Sequence, residues 1–151
     1  MSDYPQLSTR LVGETESALG ALLAPLLAEA EMTFLQWVVL SLTAANGASS
    51  PGIDRDQLIE RIAHIRKVDA ADVAAAIDEL EKAAALVTAG GQVTQTDLGR
   101  ASFGRVRARV DEVTGYVFDL PAEDLAAAGR ILATVSARAN SVLAGAGPAA
   151  R

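Results

Sequence analysis

Apolar residues recur at helical spacing over most of the chain. From Thr9 to Glu29 they fall mostly three or four residues apart, as on one side of a helix. Pro25 lies inside this stretch and predicts a kink, because proline removes one hydrogen bond of the helix. A second, strongly apolar helix is predicted from an N-cap at Thr33 to the Asn46-Gly47 stop signal. Residues 47–52 are then expected to form a loop.

Two shorter helices are predicted next, each after an aspartate that can cap it, Asp54 and Asp69. Their expected core residues are Leu58, Ile62 and Ile65 on the third helix and Val73, Ile77 and Leu80 on the fourth. The pattern then alternates from Leu86 to Thr94 around Gly90-Gly91, which predicts a hairpin, because glycine accepts the positive φ of its turn. Two short helices followed by a compact hairpin form the core of a winged helix-turn-helix.

Two long helices complete the pattern. Thr96 is predicted to cap a fifth helix reaching about Phe118, and Pro121 suits the first turn of a sixth. Residues 1–8 and 145–151 are expected to be tails. The predicted fold class is mainly α with a small β-hairpin wing, containing six helices.

Composition restricts the chemistry. Half of the residues are hydrophobic and only 4% are aromatic, so the apolar residues are mainly Ala, Leu and Val, which favours helices. The absence of cysteine excludes disulfides, thiolate metal sites and thiol catalysis. No signal peptide and no apolar stretch long enough to span a bilayer is recognised, which predicts a cytoplasmic protein without a membrane partner. A lone histidine makes a poor zinc site, and no catalytic motif is found, so we expect no enzyme, metal or cofactor.

Four short motifs, in order, resemble the MarR family of bacterial regulators over roughly residues 9–143. Residues 32–40 are similar to the Leu-Thr-x-x-Gln-Trp-x-x-Leu pattern of the family's second helix. Residues 80–87 are similar to the end of its recognition helix and its first wing strand, and residues 96–100 match its Thr-x-x-Gly-Arg element. Residues 120–125 are similar to the start of its sixth helix.

The resemblance implies a homodimer that binds pseudo-palindromic double-stranded DNA and regulates transcription, with release by a small-molecule effector as a further expectation. Dimerisation helices at about 9–30 and 97–144 would flank a winged helix-turn-helix at about 33–96, in one domain spanning 9–151. Candidate DNA contacts are Arg55, His64, Arg66, Lys67, Asp69, Ala70, Asp72 and Gln92. Candidate ligand-pocket residues are Arg10, Phe34, Trp37, His64, Phe103 and Tyr116.

Charge leaves a second function open. The net charge is −6, and the stretch from Asp69 to Val87 carries five acids and one base, Lys82. Its first residues lack the Arg, Asn or Gln that read base edges, and the wing tip has no arginine. The alternative is therefore a winged-helix protein with a degenerate DNA-reading surface, acting in ligand binding or protein–protein interaction.

Two single residues and one group of arginines have two interpretations each. Gly99, inside a helix, indicates a close backbone approach or a tolerated glycine near a helix end. Trp37 indicates core packing or the lining of a ligand cavity. The fifth-helix arginines are expected in intersubunit or intrahelical ion pairs rather than on phosphates. They are Arg100, Arg105, Arg107 and Arg109.

Overall fold

A computed structural model describes residues 5–47 and 52–146, which form six helices and three short strands. The helices are α1 (Thr9–Glu29), α2 (Phe34–Ala45), α3 (Arg55–Arg66), α4 (Ala70–Lys82), α5 (Asp97–Val117) and α6 (Ala122–Leu143). The strands are β1 (Ile53–Asp54), β2 (Leu86–Ala89) and β3 (Gln92–Gln95). Parts of the predicted tails and loop, residues 1–4, 48–51 and 147–151, lie outside the described residues.

The chain divides into two compact units. Residues 1–113 contain α1 to α4, the three strands and most of α5. Residues 114–151 contain the last residues of α5 and all of α6. The predicted winged helix-turn-helix lies entirely in the first unit.

Side-chain caps explain where several helices begin. The Thr33 hydroxyl accepts a hydrogen bond from the Gln36 N–H at 3.2 Å, and the Gln36 side chain accepts from the Thr33 N–H at 2.9 Å. This capping box satisfies two N–H groups that the helix itself leaves unpaired. Asp54 caps α3 through the Gln57 N–H, as predicted. Asp69 occupies the N-cap position of α4 but makes no side-chain capping bond, contrary to expectation.

Helix α1 is continuous through Pro25, and only Leu27 within it is buried. By length and composition alone it could cross a membrane, which the sequence analysis did not expect. The reason is that the few charges of α1 lie near its two ends and leave a long Ala- and Leu-rich centre. One such helix is weak evidence for a membrane span, because length and composition alone do not distinguish it from helices of other kinds.

The core of the first unit forms where α2, α3, α4 and the sheet pack together. Its fully buried side chains are Val39, Leu40, Leu58, Ile62, Val73, Ile77 and Val93. Every predicted core residue of α3 and α4 is buried except Ile65, which is 53% exposed. The buried side of α3 runs through Leu58, Ile59 and Ile62, and Ile65 lies at its edge in the last turn.

The wing is the predicted hairpin, with one additional strand. Strands β2 and β3 are antiparallel, with Thr88 opposite Val93 and Ala89 opposite Gln92. Gly90 and Gly91 form the turn at φ +57° and +78°, in the left-handed region that favours glycine. Strand β1 pairs with the other edge of β3, which gives the order β1-β3-β2. The sequence analysis missed β1 because two residues are too few to show alternation.

Gly99 marks a close approach between two elements of the first unit. A Cβ atom at this position would lie 2.0 Å from the Ala85 carbonyl oxygen, where α4 leads into β2. Gly99 is buried, and its N–H donates to the Thr96 hydroxyl at 3.0 Å, which caps α5 as predicted. The interpretation as a close backbone approach is confirmed.

Replacing Gly99 with alanine should therefore destabilise the fold, although alanine favours helices. We expect Gly99→Ala to lower the free energy of unfolding by about 3 kcal/mol, because the backbone around Ala85 must shift to admit the methyl group. The matched control is Gly104→Ala on the same helix, where a Cβ meets nothing within 4 Å. The control should gain up to about 1 kcal/mol from helix propensity. Urea unfolding measures the change in the free energy of unfolding for each variant. Equal changes would contradict a steric role for the missing Cβ at position 99.

Candidate nucleic-acid interface

Helices α3 and α4 are joined by a turn of three residues. Helix α3 ends at Arg66, and Lys67 adopts a left-handed conformation at φ +55°, which stops the helix. The Lys67 N–H donates to the Ala63 carbonyl, and its ammonium donates to the His64 carbonyl at 2.7 Å. Helix α4 then begins at Ala70. This left-handed turn between two short helices is a helix-turn-helix, with α4 as the candidate recognition helix.

Helix α4 is fastened to α2 by both apolar and polar contacts. Its buried side consists of Val73, Ala76, Ile77 and Leu80. On the surface, the Gln36 amide nitrogen donates to the Glu79 carboxylate at 2.9 Å. Gln36 therefore both caps α2 and joins it to α4. Sequence reasoning identified this glutamine only as part of a family motif, because its partner lies 43 residues away.

The first two turns of α4 expose short or acidic side chains. Ala71, Asp72 and Ala75 are exposed in its first two turns, and none can donate a hydrogen bond from its side chain to a base. Farther along the helix, Asp78 pairs with Arg55 at 2.7 Å. Glu81 accepts a hydrogen bond from the Thr88 hydroxyl of the wing. With Glu79 held by Gln36, three of the five acids between Asp69 and Val87 have partners inside the winged helix-turn-helix.

The tip of the wing lies close to the start of α3. The Arg55 N–H donates to the Gly91 carbonyl at 2.9 Å, and Asp54 lies opposite Gln92 in the sheet. Gln92 is half-buried in the central strand. The wing tip itself presents only Gly90, Gly91 and their exposed backbone. A tip without bulky side chains can approach another molecule closely.

The predicted DNA contacts thus separate into two groups. Residues 64–72 lie together along the turn, and His64, Lys67, Asp69, Ala70 and Asp72 are exposed. Arg55 and Gln92 lie together beside the wing tip. Arg66 differs from the rest, because its guanidinium lies over the Phe34 ring, 4.5 Å from the ring centre.

Phe34 and Arg66 line a cavity of about 400 Å³ between α1 and the start of α2. The other walls are mainly apolar and come from α1 and the turn after it. They are Glu16, Gly20, Leu23, Ala24, Leu27, Ala28 and Met32. A guanidinium at the rim of an apolar cavity, next to an aromatic ring, suits a flat molecule that carries a negative charge. Of the predicted pocket residues, only Phe34 lines this cavity.

The other predicted pocket residues do not converge on it. Trp37 and Phe103 are buried, and their ring centres are 4.9 Å apart. Trp37 packs in the core, which agrees with the first of its two interpretations, and Phe103 borders a separate cavity of about 140 Å³. Arg10 is exposed and pairs with Glu14 at 3.8 Å, and His64 is also exposed. Tyr116 is 88% exposed in the other unit. Aromatic residue type alone cannot separate core from cavity.

Three arginines on α5 form ion pairs, two of them intrahelical as predicted and the third with an acid of α1, which was not predicted. Arg107 pairs with Asp111 at 2.7 Å, and Arg100 pairs with Asp97 within the same helix. Arg109 lies 3.7 Å from Glu29 of α1. These three arginines therefore have acidic partners within the first unit.

Comparison with solved structures identifies the fold. Ligand-free NadR superposes with a TM-score of 0.73 at 21% identity, over 90% of this chain and 98% of that one. CouR from Rhodococcus jostii RHA1, bound to p-coumaroyl-CoA, gives 0.68 at 19% over 83% and 88%. The Mycobacterium tuberculosis MarR family protein Rv2887, in complex with DNA, gives 0.58 at 25% over 88% and 98%. No family model and no curated protein sequence matches the chain. The chain has the winged-helix fold of MarR-family regulators, as the resemblance implied.

The contact between Gln36 and Glu79 can be tested by exchanging their chemistry. Gln36→Glu keeps an acceptor for the Thr33 N–H but places a carboxylate against Glu79. We expect it to lower the free energy of unfolding by about 1 kcal/mol at neutral pH, because a hydrogen bond is replaced by like-charge repulsion. The double variant Gln36→Glu with Glu79→Gln restores the pairing and should regain most of the loss. Additive losses in urea unfolding would show that the two side chains are not coupled.

Proposed function

We propose that this chain is a cytoplasmic transcriptional regulator that binds double-stranded DNA as a homodimer and has no catalytic role. The main support is the exposed turn and start of α4, together with a glycine-tipped wing, in the fold of Rv2887, a protein solved in complex with DNA. Function does not follow from fold alone, so the proposal depends on the exposed residues 64–72. Among the described residues, no group of three or more His, Asp or Glu could hold a metal ion.

Exposed apolar side chains support the homodimer. No residue of α6 is buried, and a 22-residue helix with an exposed apolar side is unusual for a monomer. Its exposed apolar residues are Ile131, Leu132, Val135, Val142 and Leu143. Val12 and Leu22 of α1 are exposed as well. A second copy would cover such surfaces, and two-fold symmetry would let the two α4 helices enter successive major grooves of a pseudo-palindromic site.

The chemistry of α4 favours readout through the DNA backbone and shape. Lys67 and His64 at the turn, with Arg55 and Gln92 beside the wing, are the proposed contacts to phosphate and sugar. Exposed Asp72 at the start of α4 can accept a hydrogen bond from a cytosine amino group. Asp69 and Ala70 would then approach the duplex through the backbone at the helix start. Sequence preference would come largely from how easily the DNA deforms.

A second function is supported by the same surface. The first two turns of α4 expose no base-reading side-chain donor and carry Asp72, which repels phosphate. A winged-helix protein that has lost DNA binding would serve ligand binding or protein–protein contact instead.

Binding to a duplex from the DNA upstream of its own gene separates the two functions. We expect fluorescence anisotropy at about 50 mM salt to show binding at micromolar dimer or below, weakening steeply as salt rises, because binding releases counterions from phosphates. The solution mass should equal two subunits. No binding by folded protein at micromolar dimer would favour the second function, and a mass of one subunit would exclude the dimer.

We further propose that the cavity between α1 and α2 binds a small aromatic carboxylate. NadR has been solved with 4-hydroxyphenylacetate, and Rv2887 with salicylic acid. Here the Phe34 ring and the Arg66 guanidinium provide an aromatic surface and a cation at one cavity. Arg66 immediately precedes Lys67 of the turn, so a ligand that moves Arg66 would alter the DNA-facing surface. The ligand can change DNA affinity only by as much as its own affinity differs between the arrangement that binds DNA and the one that does not.

Salicylate serves as the probe for this cavity. We expect the Arg66→Gln variant to bind salicylate about tenfold more weakly than the parent in isothermal calorimetry, because a charge-assisted hydrogen bond is lost. The control is Arg61→Gln, which removes an exposed charge from the same helix and lines none of the cavities described above. Equal affinities for the two variants would exclude Arg66 as the anchor, and no salicylate binding by the parent would exclude salicylate as a ligand of this cavity.

A further inference from the structure

Arg55 is the cation that joins the wing to the recognition helix. Its backbone N–H donates to the Gly91 carbonyl at the wing tip, and its guanidinium pairs with Asp78 on α4 at 2.7 Å. The Arg55 side chain is 28% exposed and that of Asp78 is 55% exposed, so the pair lies at the surface. Arg55 is therefore fixed where the two elements that would meet a duplex come together.

We infer that Asp78 lowers the DNA affinity of this surface by neutralising Arg55, an inference that rests on the proposed function. A phosphate must displace the Asp78 carboxylate before it can contact the Arg55 guanidinium, so the contribution of Arg55 to counterion release is reduced. The Asp78 carboxylate also adds a negative charge to the side of the molecule that a duplex would approach. Asp78 thus opposes DNA binding in two ways, while the hydrogen bond from the Arg55 backbone N–H to Gly91 fixes the Arg55 backbone at the wing.

Asp78 differs from the neighbouring acids because its partner is a cation. Glu79 is bound by the neutral amide of Gln36, and Glu81 by the neutral hydroxyl of Thr88. Neither of these bonds withdraws a cation from the surface. Removing the Asp78 carboxylate would release a cation, whereas removing either of the others would release only a neutral donor.

The pair itself is weak enough to exchange. An ion pair exposed to solvent is stabilised only slightly, because water and salt screen the attraction. A phosphate can therefore compete with Asp78 for Arg55, and the arginine can bind it through two parallel hydrogen bonds. Whether a phosphate must compete for Arg55 depends on the presence of the Asp78 carboxylate, which a single substitution can remove.

The test compares DNA binding by Asp78→Asn and by the parent, using the same duplex and a salt series. We expect Asp78→Asn to bind about tenfold more tightly at about 50 mM salt, with a log–log salt slope steeper by about one, as for one additional phosphate contact. Asp78→Ala should show the same gain, because the effect requires only the loss of the carboxylate. Adding Arg55→Gln to Asp78→Asn should abolish the increase in slope.

The matched control is Asp111→Asn on α5. It makes the same change in net charge and breaks an ion pair of the same 2.7 Å length with Arg107, and both residues of that pair belong to α5 rather than to α4 or the wing. If Asp78→Asn binds DNA no more tightly than Asp111→Asn, the inference is wrong, while binding by the parent leaves the proposed function standing. If neither the parent nor Asp78→Asn binds DNA, the inference and the proposed function both fail. Solution mass confirms that each variant keeps the oligomeric state of the parent.

Discussion

The close approach of Gly99 to Ala85 is the constraint on which the winged helix-turn-helix depends. At this joint the end of α4, the start of β2 and the first turn of α5 meet. The Ala85 carbonyl accepts from the Thr96 N–H, the Thr96 hydroxyl donates to the Ala84 carbonyl, and the Ala85 N–H donates to Leu80. These three elements can pack this closely only because position 99 lacks a Cβ. The joint fixes the recognition helix, the wing and the fifth helix in one arrangement.

A buried polar contact on the other side of β3 completes this arrangement. The Gln95 amide donates to the Leu40 carbonyl at 2.7 Å and to the Thr43 hydroxyl at 2.9 Å. Buried polar groups are costly unless paired, so these bonds define how β3 lies on α2. Arg100 donates to the Gln95 carbonyl at 2.8 Å and ties the same strand to α5. Helix α2 is thus held to the sheet by Gln95 and to α4 by Gln36.

Local signals in the sequence were sufficient to predict most of the helices and strands. They were not sufficient to predict contacts between residues far apart in the chain. The caps at Thr33, Asp54 and Thr96 and the glycine turn of the wing depend on residues a few positions apart, so they could be predicted. Strand β1 exists only because β3 is beside it, and Ile65 is exposed only because α3 ends at the edge of the core. The partners of Arg66 and Asp78 lie 32 and 23 positions away in the chain, which no local pattern reveals.

The position of the charges, rather than their number, bears on the second function. Counting five acids and one base from Asp69 to Val87 suggests a surface that repels phosphate throughout. The structure shows that Asp78 pairs with a cation, Arg55, whereas Glu79 and Glu81 accept hydrogen bonds from neutral donors and keep their charge. Asp69 and Asp72 are exposed at the start of α4. Acids at a helix start also offset the positive end of its dipole, which itself attracts phosphate. The balance at that turn between exposed N–H groups and two carboxylates, together with the pairing of Arg55 and Asp78 farther along α4, therefore decides how closely a duplex can approach.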